Sequence, residues 1–294
     1  MTLKPVGQAV SLLVAGALIA MSLSGCAPSP SELQARCAEV TSQYQALPGV
    51  VDVRIDCALT VAGGWKHAES DAVVTFAAEA PTEQLVQLVR RLFAMEAEAK
   101  LGIYRPEFRL SSGSHFLAHD RVPLESLRYL IDAAKWQPNT VPEMDYSDLK
   151  VGVTIAEADP RRFLAQAAEL LARPPQGPPG YPLAVRVSGP ATSWEQSTHI
   201  ATSDHALTPA EVKAFTDVGR WLPEGVLLVA LSSYSGEAGG AIHTAKADRS
   251  AAAEFARRVA AVWPGAQFGF YQLKVVPNPN LPGKTRQSVT KYYP

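Results

Sequence analysis

One run of sequence signals occurs twice in this chain and constrains the fold more than any other feature. Ser29-Pro30-Ser31-Glu32 and Thr208-Pro209-Ala210-Glu211 each combine a hydroxyl side chain, a proline and a glutamate three positions after the hydroxyl. This pattern is typical of a helix N-terminus, because the hydroxyl accepts a free backbone N–H and proline needs no hydrogen-bond partner there. A strand pattern follows both helices, at Val51–Val61 and Val226–Ser232. The sequence therefore predicts two related units.

Each predicted unit has the element order α-β-β-α-β. Amphipathic helices beside alternating strands favour an α+β fold of two-layer modules, with the helices on one face of mixed sheets. After its first strand, the first unit continues with a strand at Ala72–Ala78, a helix carrying Leu85 and Phe93, and a strand at Glu107–Leu110. The second unit continues with a strand at Ala241–Lys246, a helix carrying Phe255 and Val262, and a strand at Phe268–Val276.

The stretch between the two units is less regular and indicates a third, degenerate copy. Its elements include a strand at Lys150–Ala156, a helix from Pro160 to Ala172, and a pairing of Leu183–Ser188 with Glu195–Ala201. Pro138–Asp148 and Pro174–Pro182 are proline-rich and predict connections. The predicted organisation is a signal peptide at 1–25, a tether at 26–30, a module at 31–137, a degenerate middle module at 148–201, a second αββαβ module at 205–276 and a basic tail at 277–294.

The N-terminus has the pattern of a secretory segment. Lys4 is followed by the apolar run Ala9–Leu23, which is short for a membrane span. The run ends in Leu23-Ser24-Gly25-Cys26, which resembles the lipobox of bacterial lipoproteins. This resemblance implies that Cys26 receives acyl chains such as palmitate, becomes the first residue, and holds an extracytoplasmic protein at the cell membrane. An uncleaved anchor or an ordinary signal peptide is the alternative.

The αββαβ order of the predicted units also resembles the BON module, a small unit of bacterial envelope proteins. This resemblance rests on the order of elements in 31–137 and 205–276. It implies a role in the cell envelope, in agreement with the lipobox.

Two cysteines remain after the predicted cleavage. Cys37 shares a helical face with the apolar residues of 33–47, and Cys57 alternates with them in the strand at 51–59, so both side chains point at one core. An extracytoplasmic compartment permits their oxidation. We predict a disulfide between Cys37 and Cys57, with two reduced buried cysteines as the alternative.

Charge and motifs exclude several function classes. With 27 Lys and Arg against 28 Asp and Glu, the net charge of -1 gives no field that would attract nucleic acid. The chain contains no GxxxxGK[ST], GxGxxG, HExxH or GxSxG motif. The sequence therefore favours a protein that binds rather than catalyses and needs no cofactor, with an unrecognised hydrolase as the minor alternative.

Two short stretches concentrate side chains that ligate metals. Imidazole and carboxylate groups bind divalent ions such as zinc and copper. Neither spacing matches a zinc finger or a metalloprotease. The favoured interpretation is that these are polar side chains of solvent-exposed loops, and a divalent metal site is the alternative. The residues are His115, His119 and Asp120 in the first stretch and His199, Asp204 and His205 in the second.

Two tryptophans in polar connections, Trp65 and Trp194, are candidate partner contacts. The tail at 277–294 has basic residues and no acidic residue, and either is disordered or docks onto an acidic envelope polymer or a partner protein. The function that follows is a membrane-anchored, non-catalytic protein-interaction or structural module. A carrier or sensor of a small ligand or metal is the alternative.

Overall fold

The fold is mixed α+β, as the sequence predicts. The computed structural model describes residues 28–62, 65–103, 106–144, 149–177, 179, 182–190, 199–235, 237–277 and 285–293. The elements in these ranges are α1 Pro30–Gln45, β1 Val50–Ala62, β2 Trp65–Phe76, α2 Thr82–Ala99, β3 Glu107–Leu110, β4 His115–Leu117, α3 Leu124–Ala134, β5 Thr140–Met144, β6 Leu149–Thr154, α4 Pro160–Leu171, β7 Leu183–Ser188, β8 Ile200–Ser203, α5 Pro209–Trp221, β9 Val226–Tyr234, β10 Glu237–Thr244, α6 Arg249–Val262, β11 Gln267–Pro277 and β12 Thr285–Tyr293.

These elements repeat the order α-β-β-α-β-β three times. We call the repeats unit 1 (30–117), unit 2 (124–203) and unit 3 (209–293). In every unit the first two strands are antiparallel, the second and third are parallel, and the fourth is antiparallel to the third. The helix between the second and third strands makes the crossover that a parallel pair requires. Each unit thus adds a fourth strand, β4, β8 or β12, to the predicted αββαβ order.

The strands form two sheets, β1-β2-β3-β4 and β12-β11-β10-β9-β8-β7-β6-β5. Units 2 and 3 join through a parallel ladder that pairs Ile200–Ser203 of β8 with Ala230–Ser233 of β9. Units 1 and 2 meet at β4 and β5, where the Thr140 N–H donates to the Ser114 hydroxyl at 3.0 Å. The units therefore follow one another along the sheets, with the last strand of one unit beside the first strand of the next.

The helices and one face of the strands share a core that runs through all three units. Phe108, Phe163, Phe215 and Phe270 are fully buried in it. Strand residues alternate between this core and the opposite face, as the period of two requires. None of the helices in the described ranges combines the length and apolarity that crossing a bilayer needs.

Both predicted helix starts are confirmed as capping boxes. The Glu32 N–H donates to the Ser29 hydroxyl at 3.2 Å, and the Ser29 N–H donates to the Glu32 carboxylate at 2.7 Å. Thr208 and Glu211 make the same reciprocal pair at 3.3 and 2.8 Å. These bonds satisfy backbone N–H groups that the first helical turn leaves free.

Helix α1 covers the outer edge of β1. The predicted disulfide joins Cys37 of α1 to Cys57 of β1, with their Cα atoms 6.4 Å apart. The Gln34 amide donates to the Cys57 carbonyl at 2.9 Å, and the Gln45 amide donates to the Val51 carbonyl at 3.1 Å. These contacts satisfy edge carbonyls that no neighbouring strand pairs in the described part of the chain.

One predicted connection and part of the predicted tail are wrong, because they contain strands. The range Pro138–Asp148 contains β5. Pro142 is tolerated in this strand because β5 lies at the edge of its sheet, where the N–H that proline lacks is not needed for a hydrogen bond to a neighbouring strand. Residues 285–293 of the predicted tail form β12, which pairs with β11, so this part of the tail is not disordered. The strand predicted at Glu195–Ala201 is seen as β8, and residues 195–198 lie outside the described residues.

Candidate functional site

The face of the eight-stranded sheet opposite the helices is uncovered in unit 3 and at its junction with unit 2. Four strands place a row of directly opposed residues on this face: Ile200 of β8, Ala230 of β9, Ala241 of β10 and Gly269 of β11. All four are half-buried although no described helix lies over them. Three small side chains in a row make a shallow floor across the sheet.

A second row beside this floor is aromatic. Leu228, His243, Tyr271 and Lys291 oppose one another across β9 to β12. The His243 and Tyr271 rings stack with centroids 5.1 Å apart. Burial lowers the pKa of His243, so the imidazole is neutral at neutral pH. The stacked pair therefore presents an uncharged aromatic ridge with Lys291 at its end.

The ridge depends on a glycine. A Cβ at Gly269 would lie 2.8 Å from the Tyr271 ring, so the ring rests where any other side chain would stand. On the other side of the floor, Thr202 and Ser232 present hydroxyls, and the Tyr234 hydroxyl donates to Thr202 at 3.1 Å. The small floor thus lies between an aromatic ridge and a hydroxyl-bearing row.

A surface groove of about 500 Å³ adjoins this ridge at the end of β12. Its lining includes Gln267, Gly269, Tyr271, Lys291 and Tyr293. We call the floor, the ridge and the groove together the unit 3 face. It offers aromatic surface, hydroxyl and amide groups and one cation to a partner.

The same face of unit 1 is acidic. Asp56 and Asp71 stand directly opposite each other on β1 and β2, where like charges repel. Arg54 forms an ion pair with Asp56 at 2.7 Å, and Arg109 pairs with a carboxylate of β3 at the same distance. The carboxylates of this face include Asp52, Asp56, Glu69, Asp71 and Glu107. The two ends of the molecule therefore present different surfaces.

The first predicted histidine stretch does not converge on one point. His115 pairs in register with Arg109 on β4 and β3. The His119 Nδ1 accepts the Arg121 N–H at 3.2 Å, and the Asp120 carbonyl accepts from Arg90 at 2.7 Å. His115 therefore belongs to a strand, His119 bonds within its own loop, and the backbone at Asp120 is held by helix α2.

His199 lies apart from His205, and both of its ring nitrogens hydrogen-bond to backbone groups. Its side chain is buried, and its Nδ1 accepts the Val229 N–H at 3.4 Å. Its Nε2 therefore carries the proton and donates to the Ala158 carbonyl at 2.9 Å. The ring also packs on Phe163, with centroids 5.4 Å apart. His199 thus holds β8 to the segment before α4.

His205 forms the centre of a charged cluster where unit 2 meets unit 3. Its Nδ1 donates to Asp204 at 2.7 Å and its Nε2 donates to Glu211 at 2.9 Å. Ser233 of β9 donates to the same Glu211 oxygen at 2.7 Å, and the Ser235 N–H donates to Asp204 at 3.0 Å. We call these residues the His205 cluster.

The cluster places an imidazole between two carboxylates at the start of α5. The hydrogen bond to Asp204 raises the pKa of His205, burial opposes this change, and the bond to Glu211 adds to it. Burial alone would raise the pKa of Glu211, but bonds from Thr208, Ser233 and His205 outweigh it and lower that pKa to about 2. An imidazolium between two carboxylates is an electrostatic clamp, and both ring nitrogens are used.

Among the described residues, no group of three or more His, Cys, Asp or Glu side chains has the geometry to hold a metal ion. Cys26 and Trp194 lie outside the described residues, and the side chain of Trp65 does as well, although its backbone belongs to β2.

The sequence did not single out the residues of the unit 3 face. His243, Tyr271 and Gly269 occupy alternate positions of ordinary strand patterns. The signal that was available is the density of small residues at Gly239, Gly240 and Ala241, which is unusual inside a strand.

Comparison with known proteins adds no relative. The chain matches no family model, no curated protein sequence and no solved structure.

Proposed function

We propose that this protein is a lipid-anchored, extracytoplasmic module that binds a protein of the cell envelope without catalysing a reaction. The observation that carries the proposal is the unit 3 face, where a stacked His243–Tyr271 ridge borders a floor of small residues. His243 and Tyr271 are half-buried, and partly exposed aromatic side chains beside a recess are typical anchors of protein interfaces.

Features at the N-terminus support the location. Leu23-Ser24-Gly25-Cys26 resembles a lipobox, and acyl chains on Cys26 would hold the chain at a membrane. The Cys37–Cys57 disulfide is the kind of bond that persists in oxidising compartments.

The chemistry of the unit 3 face favours a partner surface with apolar side chains and a carboxylate. Ala230 and Ala241 leave room for a partner side chain, and the Tyr271 ring, which lies over Gly269, would pack against it. Lys291 lines the adjoining groove and would pair with an acidic group.

The test is photo-crosslinking of the full chain in cells, with a photoreactive residue in place of Ser232 on this face. We expect an adduct with one envelope protein, and we expect Tyr271→Ala to reduce that adduct at least about tenfold. Tyr129→Ala, which truncates a half-buried tyrosine on α3, is the matched control and should leave the adduct unchanged.

The same probe in place of Arg257, on the outer surface of α6, controls for non-specific reaction. Equal adducts from both positions, or an adduct that Tyr271→Ala does not change, would contradict the proposal.

The anchor has its own test. Cys26→Ser should move the chain from the membrane fraction to the soluble or secreted fraction, because it removes the thiol that would be acylated. Unchanged membrane retention of Cys26→Ser would rule out the lipoprotein proposal while leaving the unit 3 face untouched.

A further inference from the structure

The outer edge of β12 is open. β12 is the last strand of the eight-stranded sheet, and β11 is its only neighbour in the described part of the chain. The corresponding strands of the other units are covered, because β4 lies beside β5 and β8 forms a parallel ladder with β9. Alternate residues of the nine-residue strand β12 therefore direct backbone groups to an edge that no described strand pairs, and such an edge is the usual template for pairing with another strand.

The opposite end of the molecule is closed. Gln34 and Gln45 of α1 donate to carbonyls on the outer edge of β1, and the Cys37–Cys57 disulfide fixes α1 there. Proteins built from stacked repeats need a capped unit at each end to stay soluble. Unit 1 has such a cap, and no element in the described ranges caps unit 3.

We propose that a second copy of this chain covers the open edge, with β12 pairing antiparallel to β12 of its partner. Because the β1 edge is capped, head-to-tail growth through β12 and β1 is blocked. A two-fold pairing uses both open edges and leaves α1 at each outer end, so assembly stops at a dimer.

The sequence of β12 fits this pairing with itself. Val289 is the midpoint of Thr285–Tyr293, so a ladder centred on Val289 pairs the full length of both strands. Its side chain is 50% exposed. Val289, Thr290, Tyr292 and Tyr293 are residue types that favour strands. No like charges face each other in this register, which places Thr285 opposite Tyr293, Arg286 opposite Tyr292, Gln287 opposite Lys291 and Ser288 opposite Thr290.

Cysteine substitution tests the register in the full chain. In the proposed dimer, the two residues at position 289 have Cβ atoms about 5 Å apart. A short bis-maleimide should therefore convert Val289→Cys into a covalent species of twice the chain mass, confirmed as a homodimer by mass spectrometry. Val51→Cys is the matched control, because Val51 is 53% exposed on the capped edge and should give no such species.

Equal crosslinking of Val51→Cys and Val289→Cys would overturn the proposal, as would crosslinking of neither. A second measurement does not depend on either variant. Two differently tagged copies of the unsubstituted full chain, coexpressed and extracted in detergent, should co-purify, and failure to co-purify would also overturn it.

Proline scanning identifies β12 as the contact. Backbone N–H groups of adjacent strand residues point to opposite edges, so either Val289→Pro or Thr290→Pro removes a donor from the outer edge while leaving the bonds to β11. One of the two should reduce co-purification at least about tenfold. Retention of the dimer by both variants would show that another surface holds the copies together.

Discussion

Helices α1 and α5 begin with the same signature and are held to the fold by different means. At α1, the Ser29–Glu32 box is exposed and its described hydrogen bonds stay within the first helical turn, while the disulfide of Cys37 holds the helix to β1. At α5, Glu211 completes the box and also accepts from His205 and Ser233. The capping motif therefore fixes where a helix begins, and the side chains around it decide how strongly the rest of the fold depends on it.

The largest expected effect comes from removing the covalent link of α1. The double variant Cys37→Ala, Cys57→Ala opens a loop of 20 residues, and we expect it to lower the free energy of unfolding by about 3 kcal/mol. Hydrogen exchange should accelerate in residues 30–62 while residues 209–234 keep their protection. Equal acceleration in both regions would show that α1 is not held separately from α5.

The second effect is a difference in the free energy of unfolding that is lost when each of the two capping glutamates is replaced. Glu211→Gln should cost about 2 kcal/mol, because bonds between charged groups in the His205 cluster are lost. Glu32→Gln should cost clearly less, because the hydrogen bonds of Glu32 among the described residues are to the exposed Ser29. Urea unfolding of both variants at one pH measures the difference, and similar losses would contradict the distinction.

The third effect is a pH dependence of stability that comes from the His205 cluster at the α5 end. The raised pKa of His205 means that its charged form contributes fully below its ordinary pKa of 6.5, and the contribution is lost as pH rises through the folded-state pKa. Glu211 contributes fully above its ordinary value of 4.5 and loses the contribution as pH falls toward about 2.

His205→Gln should therefore destabilise the protein most near about pH 5.5 and much less at about pH 9. Asp204 and Glu211 are the titratable groups that face the imidazole. Urea titrations of both proteins across this range supply the measurement. A difference in stability that stays constant with pH would mean that the clamp carries no net charge interaction.

The smallest effect concerns the edge of β1. Replacing Gln34 and Gln45 by Ala removes two exposed hydrogen bonds, and we expect a loss of about 0.5 kcal/mol. Association should change more than stability, since the β1 edge then becomes available to other strands. Light scattering that shows no growth beyond the parent assembly would indicate that the disulfide-bound helix alone closes this edge.

The parts of the fold that depend on local patterns were predictable. Capping boxes at Ser29 and Thr208, and the alternation that aims Cys37 and Cys57 at one core, are visible within short windows. β5 was missed because Pro142 normally argues against a strand, and only its place at a sheet edge makes it acceptable. β12 was missed because its partner, β11, is separated from it by residues without strand periodicity.

The candidate site was less predictable than the fold. The alternation of β9, β10 and β11 identifies which residues share a face, but it does not tell which face lacks helices. Glu211 was recognised as a capping residue, while its bond to Ser233 joins positions 22 apart in sequence and requires the parallel pairing of β8 and β9. The second predicted histidine stretch contains two different environments. His199 hydrogen-bonds to backbone groups, and His205 hydrogen-bonds to two carboxylates.

The disulfide between α1 and β1 also determines how the molecule would carry a mechanical load. A pull on the chain ahead of Ser29 passes along α1 to Cys37 and crosses directly to Cys57 in the middle of β1. The tension then acts along β1 and shears its long antiparallel ladder with β2, so that many hydrogen bonds resist together instead of opening one at a time. A domain tethered at its N-terminus would gain resistance to extraction from this one covalent bond.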